Sequence, residues 1–305
     1  MARLRERDGR PLGLWVSGAL VGVLTIGVVA LVILAVMHTR GAAETASPRP
    51  VPTFTPVTSG PSPTPTPTPT VAPAPGAAER FLSAGSGRVL WRATAGDCNA
   101  VPPLLERSED GGRTWRDVTP HYRGVGQISS LDAFAGTEGE MVASLGPACE
   151  VQLLRTFTEG RFWDPYPDVL RASTYVNPAD TAEVVTPSGP VPAPCASPYG
   201  LRAGGDPRAV ALICDGRALT LSGDRWTDLG VTDAVALALT PDGVAVGHEA
   251  PGCEGLALTT VAPGATPPPS SDACVADVDP SLPVAIAAGQ AGFLVWSGDA
   301  IVGTG

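Results

Sequence analysis

The 305-residue sequence contains no lysine: its 20 basic residues are all arginine. Charged residues make up only 16% of the chain, where about a quarter is usual. Aromatic residues are 5%. The three histidines, His38, His121 and His248, stand far apart and form no pair at ligand spacing. A histidine-based metal site therefore has no support. No G-x-S-x-G elbow, phosphate loop or dinucleotide fingerprint is present, and no C-x-x-C pair. The expected cofactor and metal content is none. The first cysteine is Cys98, far beyond the N-terminal apolar run, which excludes a lipid-modified cysteine there.

What is abundant is glycine (36) and proline (33), which favours turns and strands over helices. Charge is also unevenly spread. Residues 1–40 hold five arginines against Glu6 and Asp8, leaving 15 arginines against 28 acids beyond them, a net of −13. An acidic remainder argues against nucleic acid, which needs a basic footprint, and against anionic lipid.

Leu12 to Met37 is an uncharged, mostly apolar run of 26 residues. About 20 suffice to cross a bilayer, and a cleaved signal's apolar region is usually shorter. Four arginines precede the run and Arg40 follows it, which sets residues 1–11 in the cytoplasm and the C-terminal part outside. Pro48 to Pro75 then holds 11 prolines in 28 residues. Such a segment builds no core and favours extended polyproline II. The expected organisation is a transmembrane helix over 12–37, a Pro/Thr-rich linker over 38–78 and an extracytoplasmic domain over 79–305.

Within that domain a unit recurs: strand, cysteine-bearing turn, strand, tight turn, tryptophan. It reads Arg208 to Trp226 with Cys214, Glu140 to Trp163 with Cys149, and Arg88 to Trp115 with Cys98. A fourth copy holds Cys253 without the tryptophan, and a fifth ends near Val302. Short apolar stretches (Leu131–Ala135, Ala234–Ala238, Val284–Ala288) fall between units as the first strand of the next. Four short strands per ~40–50 residues is the arithmetic of a β-propeller blade. The expected fold class is all-β, a propeller of about five four-stranded blades; six follow if Thr174–Pro198 is a blade and not an insertion. A β-sandwich is the competing architecture.

Ser108-Glu-Asp110-Gly-Gly112-Arg-Thr114-Trp115 resembles the Asp-box of BNR-repeat proteins, a family that includes sialidases and non-enzymatic propellers. The resemblance implies a propeller in which Ser108, Asp110, Gly112, Thr114 and Trp115 form a folding device remote from any active site. Thr156, Gly160 and Trp163 keep the spacing without the aspartate, and Trp226 closes a shortened copy. The family's sialidases use three arginines and a tyrosine nucleophile; no matching segment is found, and Tyr122, Tyr166, Tyr175 and Tyr199 all lie in turn-like contexts. No catalytic residue is assigned.

All six cysteines fall on the oxidising side, so disulfides are expected: Cys195–Cys214, Cys253–Cys274 and, by elimination, Cys98–Cys149 between neighbouring blades. The loop His121-Tyr122-Arg123 is the candidate ligand contact, since tyrosine and arginine are favoured in interfaces. The function expected is that of a non-catalytic, membrane-anchored surface propeller binding an envelope protein or glycan. A sialidase-type glycoside hydrolase and an assembly factor for other membrane proteins are the alternatives.

Overall fold

A computed structural model of the chain describes residues 74–204, 209–262 and 273–304. The expected membrane helix and most of the linker lie outside them. Among the described residues no helix is long and apolar enough to cross a membrane.

The strands form six sheets, each made of strands consecutive in sequence. Blade 1 holds β1 (Arg80–Ala84), β2 (Leu90–Thr94), β3 (Leu104–Ser108) and β4 (Arg116–Asp117). Blade 2 holds β5 (Val125–Ala133), β6 (Gly139–Leu145), β7 (Glu150–Thr156) and β8 (Asp164–Pro165). A short helix, α1 (Pro167–Arg171), leads to blade 3: β9 (Tyr175–Val176), β10 (Glu183–Thr186) and β11 (Gly189–Pro192). Blade 4 holds β12 (Tyr199–Gly204), β13 (Ala209–Cys214), β14 (Arg217–Ser222) and β15 (Arg225–Thr232). Blade 5 holds β16 (Ala234–Thr240), β17 (Gly243–His248), β18 (Leu256–Val261) and β19 (Ala273–Val275). Blade 6 holds β20 (Val284–Gly289), β21 (Gly292–Ser297) and β22 (Ala300–Gly303). All pairings are antiparallel. The inner strands β1, β5, β9, β12, β16 and β20 touch one another in that order and return to β1, which closes a ring.

The propeller is thus six-bladed, not five-bladed, and blades 3 and 6 have three strands among the described residues, not four. The sixth blade is the Thr174–Pro198 stretch. Its strands are two and four residues long, and Pro190 and Pro192 sit in its outer strand β11. Proline donates no ladder hydrogen bond and is tolerated at such an edge.

Each blade buries a face against its neighbour. Trp91 of blade 1 and Trp163 of blade 2 meet edge to face at 6.0 Å within one apolar cluster that includes Phe81, Met141 and Leu154. Similar clusters join blades 3 and 4, 4 and 5, and 5 and 6. Alanine fills the inner strands of blades 5 and 6 because the ring narrows towards its axis; Ala236, Ala238, Ala285 and Ala287 are all buried. Among the described residues no such cluster joins blades 2 and 3.

The last seam, between blades 6 and 1, closes by side chains alone. Leu82 packs with Ala285, Ala287 and Trp296. The guanidinium of Arg80 lies 4.3 Å from the centre of the Trp296 ring, and that of Arg92 lies 4.9 Å from the same ring and 4.2 Å from Trp115. Glu106 holds Arg92 in place at 2.7 Å. This ladder alternates cation and ring; its Trp296 rung belongs to blade 6 and the other three to blade 1.

The turn from Ser108 to Trp115 is held by its own polar side chains. Asp110 Oδ1 accepts the N–H groups of Arg113 and Thr114, both at 2.9 Å, and Oδ2 accepts the Thr114 hydroxyl at 2.7 Å. These bonds, led by those from Thr114, hold the Asp110 carboxyl well below the usual carboxylate range. Ser108 Oγ accepts the Gly112 N–H at 2.8 Å, and Trp115 Nε1 donates to the Gly112 carbonyl at 3.0 Å. Gly112 has φ +87°, a left-handed value that glycine adopts at little cost. Blade 2 repeats the arrangement without a carboxylate. Thr156 Oγ1 takes the Gly160 N–H at 3.1 Å, Thr158 Oγ1 takes the Phe162 N–H at 2.9 Å, and Trp163 Nε1 donates to the Gly160 carbonyl at 3.1 Å. Trp226 differs: its Nε1 donates to the Pro192 carbonyl at 2.9 Å and ties blade 4 to blade 3.

The three disulfides are Cys98–Cys149, Cys195–Cys214 and Cys253–Cys274, the expected pairing. The first joins blade 1 to blade 2, the second joins the chain after β11 to blade 4, and the third lies within blade 5.

Two outcomes follow for stability. Trp296→Ala should cost about 3–5 kcal/mol, and Arg92→Ala about 1–2 kcal/mol, in urea unfolding of the oxidised protein. A Trp296 variant as stable as the parent would show that the seam closes by other means. Replacing Cys98 and Cys149 together by alanine should cost about 3–4 kcal/mol, since that bridge closes the longest of the three loops. Equal unfolding midpoints with and without the bridge would contradict this.

Candidate functional site

Two bonds cross the axis of the ring. Glu79, just before β1, accepts the Gly200 N–H of blade 4 at 2.8 Å. Arg202 of β12 reaches back, with Nη2 3.5 Å from the Arg80 carbonyl, Nη1 2.9 Å from its own Leu201 carbonyl, and its guanidinium over Phe81. Burial pushes the Glu79 carboxyl up, opposed by Arg202 and the Gly200 N–H, and pushes the Arg202 guanidinium down. Blades 1 and 4 are thus braced across the centre.

This brace has a cavity on either side. A small one of about 280 Å³ lies beside Tyr199, Pro283 and Glu79, where Ala74 and Pro75 begin the described chain. A larger one of about 1090 Å³ lies at the other end. There the C-terminal residues of five inner strands arrive, Ala84, Asp132, Gly204, Thr240 and Ala288 among them. Blade 3 is the exception: Ser173 and Thr174 line the cavity just before β9 starts.

The larger cavity reaches outward between blades 2 and 3, and also between blades 4 and 5, where Thr220, Leu229, Val244 and Val261 line it. Its wall between blades 2 and 3 is the face of blade 2 that no apolar cluster covers: Glu140, Val142, Leu153 and Arg155, with Val169 of α1 opposite. The alternation of β6 explains the division. Met141 and Ala143 point into the blade 1 cluster, so Glu140 and Val142 point the other way. Strand register places Asp132, Glu140, Arg155 and Asp164 in one row across the four strands. Glu140 pairs with Arg155 at 2.6 Å, and Asp164 pairs with Arg123 at 2.7 Å. Among the described residues no hydrogen bond or ion pair reaches the Asp132 carboxylate. Water reaches Asp132 through the cavity, but protein surrounds it otherwise, and its carboxyl is pushed up to about 6. Burial is the main cause and Glu140 adds to it, while Arg202 opposes both.

Beside this row the surface is aromatic. Phe134, Phe157 and Tyr166 follow one another with ring centres 6.1 and 6.2 Å apart. Phe134 is 47% exposed and Phe157 49% exposed. Arg155 lies 5.4 Å from the rings of both Phe134 and Tyr166. In a chain with so few aromatics, three neighbouring rings, two of them exposed, are a local concentration.

The sequence-based candidate His121-Tyr122-Arg123 is elsewhere. It forms a 3-10 turn between β4 and the start of β5, at the end of the inner strands away from the large cavity. The Tyr122 hydroxyl accepts the Trp163 N–H at 2.5 Å, Arg123 donates to the Trp163 carbonyl at 2.9 Å and pairs with Asp164, and His121 lies 3.6 Å from Asp117. These groups tie the interblade connection to the edge of blade 2. Sequence reasoning missed the row and the rings. The available signal was the alternation of β6, with a charge at Glu140 and again at Arg155 opposite it. Among the described residues the large cavity is lined by two arginines, Arg155 and Arg202, and no tyrosine. No cluster of ligating side chains suited to a metal ion occurs among the described residues.

No family model and no curated protein matches the chain. Solved structures of similar fold include YCF48 bound to a D1 peptide, at 16% identity, TM-score 0.34, over 61% of this chain and 64% of that one. The Niastella koreensis GH74 enzyme matches at 12% identity, TM-score 0.40, over 72% of this chain and 44% of that one. A Hadza microbial sialidase matches at 13% identity, TM-score 0.33, over 71% and 52%. This chain therefore spans less than two thirds of each of these structures.

The raised Asp132 carboxyl has a stability consequence. Because its value in the fold lies above its ordinary 3.8, the folded protein holds the proton between about pH 4 and pH 6, and the ionised form opposes folding above that window. Asp132→Asn should therefore raise Tm at about pH 7.5, and the gain should vanish near pH 4. A Tm lowered by the substitution at neutral pH would show that the charge is needed by the fold.

Proposed function

We propose that this chain is a non-catalytic propeller, tethered to a cell membrane and facing outward, that binds a segment of another envelope protein at the blade 2–blade 3 seam. One observation carries the reading: among the described residues, the one blade seam without an apolar cluster of its own lines the cavity of about 1090 Å³, and the exposed rings of Phe134 and Phe157 stand beside it near Arg155. A polypeptide laid there would cover the Phe134 and Phe157 rings while meeting the polar row, a mixture of aromatic and charged groups found in protein interfaces. The side-chain bonds of Asp110 support its reading as the brace of an Asp-box turn, a structural role. The sialidase reading calls for three arginines and a tyrosine on the axis, and the described lining supplies two arginines. Glycan binding is the second reading, favoured by carboxylates and Arg155 set beside open rings.

Photocrosslinking tests this in the intact chain in its native membrane. A benzophenone amino acid at Phe134 or Phe157 should capture one envelope protein, and the purified pair should dissociate more readily with Phe157→Ser. The same group at Leu282, exposed beside the small cavity, should capture nothing in common. Adducts formed equally from Leu282, or glycan binding lost with Phe157→Ser while no protein is captured, would overturn the protein-segment reading.

A further inference from the structure

Resting on the seam as the ligand site, we infer that the bound segment presents a basic side chain, arginine or lysine, flanked by an apolar residue, and that Asp132 receives the basic group. The charge row is the reason. Glu140 is matched by Arg155 and Asp164 by Arg123, which leaves Asp132 as the carboxylate without a partner. It stands directly opposite Glu140 on the neighbouring strand, a placement in which like charges oppose folding. The nearest other cation is Arg202, across the axis. It forms no ion pair with Asp132 among the described residues, and its N–H groups are directed at backbone carbonyls. A ligand cation would relieve the repulsion that the fold leaves in place.

The surroundings suit such a side chain over its whole length. Phe134 follows Asp132 by two residues and Phe157 lies against it, so the methylenes of a lysine or arginine run over apolar surface while the head group meets the carboxylate. The half-exposed rings of Phe134 and Phe157 also offer apolar surface to a neighbouring aliphatic residue. The net charge of −13 beyond residue 40 attracts basic segments from a distance. A neutral sugar would leave the uncompensated charge unmet.

Binding should then depend on pH. The charged and titratable groups around Asp132 are Glu140 on β6, Arg155 on β7, and Arg202 on β12 with Glu79 behind it. Burial raises the Asp132 carboxyl into the mildly acidic range, so protonation there removes the receiving charge.

The test uses the full chain in lipid nanodiscs and a random heptapeptide library. Peptides selected on the parent protein should carry an arginine or lysine beside an apolar residue. For a synthetic peptide of that kind, Asp132→Asn should weaken binding about tenfold or more, as should norleucine in place of the basic residue, and the two losses should not add. Affinity should fall between about pH 7.5 and pH 5 for the parent and stay level for Asp132→Asn. Peptides that lose binding with Phe157→Ser yet lack a basic residue, or ignore Asp132→Asn, would overturn this inference and leave the seam as the site. Peptides indifferent to Phe157→Ser would remove the seam itself, and the inference with it.

Discussion

A ring of sheets is stable only if each sheet hides both faces, and here that requirement is met unevenly. Five seams are filled by apolar side chains, with Trp91 against Trp163 in one and the Arg80–Trp296–Arg92–Trp115 ladder finishing another. Each filled seam fixes the angle between two blades, and five such angles leave the sixth little freedom. The blade 2–blade 3 seam has no such cluster among the described residues, although Val142 and Leu153 within it are buried. It can carry charge, water and exposed rings because the ring does not depend on it for closure.

Blade 3 is the counterpart of that freedom. Its inner strand is two residues long, and it is reinforced from the blade 4 side by Val184 against Leu201 and Leu212, by the Cys195–Cys214 bridge and by the Trp226 hydrogen bond. A thin blade tied to one neighbour leaves part of the other neighbour's face lining the cavity, and Asp132, Glu140 and Arg155 stand there. The brace of Glu79 and Arg202 across the axis limits how deep the resulting cavity runs.

Much of this was legible in the sequence and some was not, for physical reasons. Blades 1, 2 and 4 announced themselves because a turn closed by glycine and tryptophan leaves a fixed spacing, and the cysteines paired as their places in the repeat implied. Blade 3 was hidden because its strands are short and broken by proline, so it carries neither the turn nor an apolar alternation long enough to read. The site was hidden for another reason. Asp132 and Phe134 look like the end of an ordinary strand, and only register across β5 to β8 aligns them with Glu140 and Arg155. His121-Tyr122-Arg123 drew attention by residue type, but sequence does not say which end of the axis a connection occupies.

The two tryptophan turns of blades 1 and 2 are closed alike but braced by different groups at one matching position: Asp110 in the first, Thr158 in the second. A carboxylate brace lasts only while it is ionised, and a hydroxyl has no such limit. In a strongly acid medium the first turn would loosen at its anchor while the second kept its shape. Blade 2, whose face lines the large cavity, is therefore the one whose tryptophan hairpin does not depend on an ionised carboxylate.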